Sequence, residues 1–154
     1  MIRKELMDNL EKAIDFEAAL SDCYKYLASL IHNGITRQKY LNLSSVSQGN
    51  RLLLEKFLNR SNINYALEEK CQFCKITPAS FSLEGAINFA LEVNNYTIIL
   101  YKKLSKRCPD ESLSFFLGET LKEKKTQIRF LGKEKRFHKE NHLRSRLLKD
   151  IVRN

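Results

Sequence analysis

The sequence contains few residues that interrupt helices and few that suit an extracellular scaffold. Its 154 residues include five glycines, two prolines and no tryptophan, so long helices are expected. Four cysteines are too few and too scattered for a secreted disulfide framework. No apolar run approaches the roughly 20 residues that span a bilayer, and the start of the chain is charged and amphipathic, unlike a signal peptide. We therefore expect a cytoplasmic protein.

The positive charge is concentrated in the last quarter of the chain. The net charge is +9. Residues 119–154 hold 12 Lys and Arg against 5 Asp and Glu, whereas residues 1–118 hold 15 against 13. The basic character therefore belongs to the C-terminal part rather than to the chain as a whole.

Hydrophobic periodicity predicts four long helices around one core. Their approximate bounds are Arg3–Ile31, Thr36–Arg60 with Thr36 as N-cap, Ser80 or Ser82 to Arg107, and the residue after Pro109 to at least Phe137. A crossover of residues 61–80 separates the two helix pairs. The predicted domains are a bundle over residues 1–137 and a basic amphipathic segment over residues 138–154.

The order of short and long connections predicts the topology. Two short connections and one long crossover between four helices are typical of an all-α, ferritin-like bundle. An internal repeat agrees, because a shift of 77 residues lays YKYLASL (24–30) on YKKLSKR (101–107). The second helix pair is therefore interpreted as a copy of the first.

One carboxylate lies on an apolar helix face. Glu17 falls on the inward stripe of the first predicted helix, between Ala13 and Leu20. A buried charge requires a partner, which can be a metal ion, another side chain or a proton.

The pattern resembles the rubrerythrin-like branch of the ferritin-like superfamily over roughly residues 5–137. The resemblance rests on Glu17 followed by Tyr24, on the repeat of this helix after a crossover, and on the run 121–131, LKEKKTQIRFL. It implies a four-helix bundle that binds two iron ions through a Glu from each of two helices and a Glu-x-x-His from each of the other two. It also implies a dimer, since such bundles commonly pair through a helix face.

Most of the implied iron ligands are absent. The six matching positions are Glu17, Ser47, Asn50, Asn94, Glu123 and Thr126. Only Glu17 and Glu123 retain a carboxylate, and residues 35–54 contain no Asp, Glu, His or Cys in any register. We therefore expect a degenerate site without the di-iron centre.

Two interpretations of Glu17 and Glu123 follow. In the first, the two carboxylates approach each other and share a proton, with hydrogen bonds to Asn50 and Asn94 and no cofactor. In the second, they bind a single metal ion such as iron weakly, because Asn and Ser are poor ligands for iron.

A second candidate site lies outside the bundle centre. Cys71-Gln-Phe-Cys74 is half of a zinc site or a redox pair, and His138 and His142 have the spacing of two ligands on one helix face. The end of the fourth helix should return to the level where the third begins, so these four residues could bind zinc together. The alternatives are two inert cysteines or a site shared by two subunits.

The basic C-terminal segment also has two interpretations. Its Leu143, Leu147 and Ile151 face can dock on its own bundle or on a protein partner. Alternatively, its charge binds nucleic acid or an anionic surface.

We predict a non-catalytic binding or regulatory protein. The alternative is a metal-dependent redox or stress protein that uses Glu17/Glu123 or Cys71/Cys74.

Overall fold

The computed structural model describes residues 2–59 and 81–153, and these residues form four α-helices. The helices are α1 (Ile2–Leu30), α2 (Gly34–Asn59), α3 (Leu83–Arg107) and α4 (Glu111–Arg153). α1 packs against α2 and α3, and α3 packs against α4. Two helical hairpins therefore form a four-helix bundle, as predicted, while the predicted crossover lies outside the described residues.

Polar side chains cap the N-termini of α2, α3 and α4. Asn33 Oδ1 accepts hydrogen bonds from the backbone N–H groups of Ile35 (3.0 Å) and Thr36 (3.1 Å). Asn33 is therefore the N-cap of α2, and the prediction of Thr36 is wrong. Ser82 caps α3, where its Oγ accepts from Gly85 N at 3.0 Å, and Asp110 Oδ1 accepts from Leu113 N at 3.1 Å at the start of α4.

The fourth helix is longer than its share of the bundle. α4 has 43 residues and continues without a break from the bundle into residues 138–153. From Lys139 onward every described residue of α4 is exposed. Among the described residues, no helix is both long and apolar enough to cross a membrane.

The apolar core consists of two separate clusters. One contains Leu20, Tyr24, Leu27, Tyr40 and their neighbours, and the other contains Leu10, Ile14, Leu54, Tyr101 and theirs. Between and alongside them lies a band of buried polar side chains from all four helices: Glu17, Ser21, Ser44, Ser47, Asn50, Asn94, Thr97, Thr120, Lys124 and Gln127. This polar band contains the candidate site.

Candidate functional site: a buried ion pair in the bundle centre

A lysine and a glutamate form the centre of the polar band. Lys124 Nζ lies 2.8 Å from Glu17 Oε1, and both side chains are fully buried. Tyr101 OH donates a hydrogen bond of 2.6 Å to the same oxygen. The ammonium lies close to the carboxylate without good hydrogen-bond geometry, so the attraction is mainly between charges. Glu17 therefore has a side-chain cation as its partner.

A second, neutral cluster lies about two helical turns away along α1. Asn94 Nδ2 donates to Tyr24 OH at 2.8 Å, and Tyr24 OH donates to Gln127 Oε1 at 2.8 Å. All three side chains are buried. The tyrosine hydroxyl thus links α3 to α4 through one donor and one acceptor bond.

Helix α2 contributes hydroxyl and amide groups to the band. Ser44 Oγ donates to Ser21 O at 2.9 Å and lies 3.1 Å from Ser21 Oγ. Because α1 and α2 run antiparallel, this contact places Ser47, one turn further along α2, at the level of Glu17. Within the polar band, five buried side-chain atoms have no hydrogen-bond partner among the described residues, namely Glu17 Oε2, Ser47 Oγ, Asn50 Nδ2, Asn94 Oδ1 and Lys124 Nζ.

The internal repeat relates the two clusters to each other. A shift of 77 residues maps Glu17 onto Asn94, Tyr24 onto Tyr101, Ser47 onto Lys124 and Asn50 onto Gln127. The contact of Tyr101 with Glu17 is then the repeat equivalent of the contact of Tyr24 with Asn94. The two halves of the band share one plan, but one half holds a charged pair and the other holds only neutral groups.

The predicted position of Glu123 is wrong. Glu123 is exposed, as is Thr126, whereas Lys124 and Gln127 are buried. Thr120 is buried, and the next buried residue of α4 is Lys124, four positions further on, where the prediction placed Glu123, three positions further on. Two residues four apart are as close to one helix face as two residues three apart, so the sequence pattern alone did not separate the two choices.

A usable signal for the correct register was present in the sequence. The 77-residue shift extended into the fourth helix places Lys124 opposite Ser47 and Gln127 opposite Asn50. Lysine was not expected inside because it is almost never fully buried unless it is paired. The pairing with Glu17 supplies that condition.

The side chains around Glu17 do not fit a di-iron centre. The positions that the resemblance assigns to ligands, corrected for the observed register, hold one carboxylate, one ammonium, one hydroxyl and three amides. An ammonium group has no lone pair and repels a metal cation. Among residues 2–59 and 81–153, no group of three or more His, Cys, Asp or Glu side chains could bind a metal ion.

Burial keeps the aromatic hydroxyls of the band protonated. Burial raises the pKa of Tyr101 well above its usual value, and the neighbouring Glu17 charge raises it further. Burial also raises the pKa of Tyr24, although the hydrogen bond from Asn94 opposes this effect. The Cys23 thiol beside this cluster has its pKa raised to about 12, mainly by burial. These groups act as neutral hydrogen-bond donors or packing groups at physiological pH.

Of the four predicted zinc ligands, the two histidines lie within the described residues. His138 is half-buried and His142 is exposed. Both line a groove of about 650 Å³ with Ser82, Leu83 and Glu84 at the start of α3. The end of the bundle part of α4 therefore does lie beside the start of α3, while Cys71 and Cys74 lie outside the described residues.

The distal part of α4, residues 138–153, has two distinct faces. At 100° per residue, His138, Lys139, His142, Arg146, Lys149 and Arg153 fall within an arc of about 100°. The other side carries the exposed apolar residues Leu143, Leu147, Leu148, Ile151 and Val152, together with the charged residues Glu140 and Arg144. From Lys139 onward the residues of both faces are exposed, so both faces are accessible to a partner.

Comparisons with known proteins support the fold. Neither a protein-family model nor a curated protein matches this sequence. A variant of PmFTN soaked in iron for 45 min matches with a TM-score of 0.68 and 18% identity, over 90% of this chain and 91% of that chain. Another PmFTN variant, soaked for 3 h, matches with a TM-score of 0.63 and 16% identity, over 88% of this chain and 89% of that chain. The protein therefore has the fold of the ferritin-like four-helix bundle.

Proposed function

We propose that this protein is a non-catalytic member of the ferritin-like bundles, in which the ammonium of Lys124 takes the place of the metal. The observation that supports this proposal is the contact of 2.8 Å between Lys124 Nζ and Glu17 Oε1, with both side chains fully buried. The internal cation balances the one remaining buried carboxylate. The bundle then needs no metal ion to neutralise its centre.

The rubrerythrin-like assignment belongs to the same proposal. It rests on the placement of Glu17 and Tyr24 on the first helix and on the repeat of this helix as α3. The contacts of Tyr24 and Tyr101 with the repeat-related residues Asn94 and Glu17 agree with a duplicated hairpin.

The cytoplasmic assignment rests on the few scattered cysteines, one of which, Cys23, is a buried free thiol.

Elemental analysis and a peroxide assay test the loss of the di-iron centre. We expect protein purified without chelators to contain no stoichiometric iron. After anaerobic reconstitution with Fe(II), peroxide consumption should not exceed that of the same amount of free Fe(II). Iron bound at two ions per chain, with peroxide turnover that depends on Glu17, would contradict the proposal.

The binding role is assigned to the distal part of α4. A helix that is exposed from Lys139 onward, with a basic arc and apolar residues on the other side, has the composition of a partner-binding element. For a polyanionic partner, the basic arc supplies the contacts to phosphate or sulfate groups. The basic arc rather than the net charge of the chain should then determine retention on a polyanion.

Retention on heparin tests whether the basic arc or the net charge of the chain determines binding to a polyanion, through a matched pair of variants. Lys149→Glu changes the basic arc, and Arg144→Glu makes the same charge change on the opposite side of the helix. We expect retention at low salt that falls as salt rises, that is weakened more by Lys149→Glu, and that is lost on truncation at Lys139. Equal effects of the two variants would show a non-specific charge effect, and no retention of the wild type at low salt would refute polyanion binding.

A second candidate function is a zinc or redox site that includes Cys71 and Cys74. The specific observation in its favour is that His138 and His142 line one groove beside the start of α3, to which the crossover leads. Two thiolates and two imidazoles are a common set of ligands for structural zinc. Stoichiometric zinc that is lost in the His138→Ala/His142→Ala variant would support this site, whereas zinc-free protein with two freely titratable thiols at 71 and 74 would refute it.

A further inference from the structure

One side of α4 faces away from the bundle. Leu113 and Leu131 are buried and lie on one line of the helix, because about five whole turns separate them. The side roughly opposite that line is an arc of about 80°, at 100° per residue. From Lys122 onward the exposed residues in this arc are Lys122, Lys125, Arg129, Lys133, Arg136, Glu140, Leu143, Leu147 and Ile151. We call this set the α4 outer face.

The α4 outer face changes character where the helix leaves the bundle. Its residues up to Arg136 are all cations, whereas its last three residues are aliphatic. These three, Leu143, Leu147 and Ile151, are 50%, 62% and 70% exposed. Within the bundle, in contrast, the apolar residues that α4 buries lie on its inner side, as Leu131 does. The apolar side of α4 is therefore reversed in its distal part, and the core of the described bundle does not cover it.

The bundle part of the face is positively charged. Lys122 Nζ forms an exposed ion pair with Glu119 Oε1 at 3.1 Å, and Arg129 donates a weak hydrogen bond of 3.4 Å to the uncharged Thr126. Glu140, at the junction with the aliphatic part, is the acidic member of the face. The face and its ion-pair partner thus hold five cations and two carboxylates, and this excess of cations attracts an anionic surface.

We propose that the α4 outer face binds an anionic lipid bilayer, an inference that rests on the binding role proposed above for the distal part of α4 and names its partner. The cations of the bundle part contact lipid phosphates. Leu143, Leu147 and Ile151 enter the boundary between headgroups and acyl chains, where an amphipathic helix lies about 5–10 Å deep. The bundle part of α4 stays at the level of the headgroups, because α3 packs against its other side.

An anionic bilayer fits this face better than nucleic acid or a second copy of the chain. Nucleic acid offers phosphates to the cations but no continuous hydrocarbon surface to the three aliphatic residues. A second copy would set cations against cations or against aliphatic side chains. A bilayer supplies phosphates and hydrocarbon together along the whole face, which is about 44 Å long from Lys122 to Ile151.

Co-sedimentation with lipid vesicles tests the charged part of the face. The vesicles contain equal parts of phosphatidylglycerol and phosphatidylcholine, and pure phosphatidylcholine vesicles are the uncharged comparison. Lys133→Glu changes the face, and Lys25→Glu is the matched control, because Lys25 is exposed on α1. We expect the wild type to bind only the anionic vesicles, and less as salt rises. Lys133→Glu should weaken binding at least about fivefold, the effect of one cation near an anionic membrane, and Lys25→Glu should weaken it far less.

A tryptophan reporter tests the aliphatic part of the face, because the chain contains no tryptophan of its own. Ile151→Trp places the reporter in the face, and Ile35→Trp is the control, since Ile35 is 75% exposed and Ile151 is 70% exposed. On anionic vesicles, the fluorescence of Ile151→Trp should shift to shorter wavelength and become shielded from acrylamide, while that of Ile35→Trp should not change. Circular dichroism and the midpoint of urea unfolding should show that all four variants fold.

Any of three results would overturn the proposal. They are a wild type that does not sediment with anionic vesicles at low salt, equal weakening by Lys133→Glu and Lys25→Glu, and an Ile151→Trp reporter that stays accessible to acrylamide on the vesicles. Heparin retention depends on the basic arc, which lies on the other side of the distal part of α4. Retention on heparin without vesicle binding would therefore overturn this inference and leave the proposed polyanion binding intact, whereas vesicle binding without heparin retention would support it.

Discussion

Replacement of Lys124 by methionine is the sharpest perturbation of the bundle centre. Lys124→Met keeps a long unbranched side chain but removes the ammonium that lies 2.8 Å from Glu17 Oε1. The Glu17 carboxylate would then be a fully buried charge whose remaining described hydrogen bond comes from Tyr101. Removal of one partner of a buried ion pair typically costs about 3–5 kcal/mol, which is a large part of the stability of a domain of this size.

Urea unfolding at pH 7 measures this cost against two comparisons. Lys125→Met is the matched control, because Lys125 is exposed and its loss should change the free energy of unfolding by at most about 0.5 kcal/mol. In the double variant Glu17→Gln/Lys124→Met, both charges are gone. Its cost should be clearly smaller than the sum of the two single costs, because each single variant leaves one charge unpaired.

The same urea measurements also test the register of α4, because Lys124 is buried and Glu123 is exposed. If Lys124→Met is as stable as Lys125→Met, while Glu123→Gln is strongly destabilised, the observed register of α4 is refuted.

Three other predictions follow from the contacts and the pKa shifts. The folded-state pKa values of Tyr24, Tyr40, Tyr101 and Cys23 are raised, mainly by burial, so these groups stay protonated in the folded state after they ionise in the unfolded one. The free energy of unfolding should thus fall from about pH 9–10 upward, by about 1.4 kcal/mol per pH unit for each such group; an unchanged urea midpoint between pH 8 and pH 11 would contradict this. Tyr24→Phe should cost about 1–3 kcal/mol for each buried group left unpaired on Asn94 and Gln127. It should cost more than Tyr26→Phe, whose hydroxyl donates only to Phe81 O from a part-buried position, and thermal unfolding of both variants would reveal a reversed order. For the zinc candidate, stoichiometric zinc should protect Cys71 and Cys74 from thiol reagents until a chelator is added, and equal reactivity before and after chelation would argue against it.

The fold could be predicted largely because its signals are redundant. Four long amphipathic stripes, few glycines and two short connections all indicate the same bundle. Ser82 was one of the two predicted starts of the third helix, because serine is favoured at helix N-termini, and the structure identifies it as the N-cap of α3. Asn33 was missed because Thr36 has a similar preference, and only the observed hydrogen bonds distinguish the two.

The candidate site was only half predictable, and Lys124 shows why. Glu17, Ser47, Asn50 and Asn94 were placed inward correctly, because these polar residues interrupt clear apolar stripes. Lys124 lies next to Lys122 and Lys125 in a basic run, where a solvent-exposed lysine is the usual outcome. Its burial depends on Glu17, more than 100 residues away in the sequence, and local periodicity carries no information about that contact.

The most direct test of the central claim is an NMR measurement on the Lys124 ammonium itself. In protein labelled with ¹⁵N and ¹³C, we expect one lysine Nζ signal whose protons exchange slowly with water. This signal should be absent in Lys124→Met, present in Lys125→Met, and unchanged when Fe(II) is added anaerobically. Failure to find a protected ammonium would contradict the buried ion pair. Loss of the signal together with broadening of the Tyr101 signals on addition of Fe(II) would show that the bundle centre accepts a metal ion. Either result would show that the account is wrong.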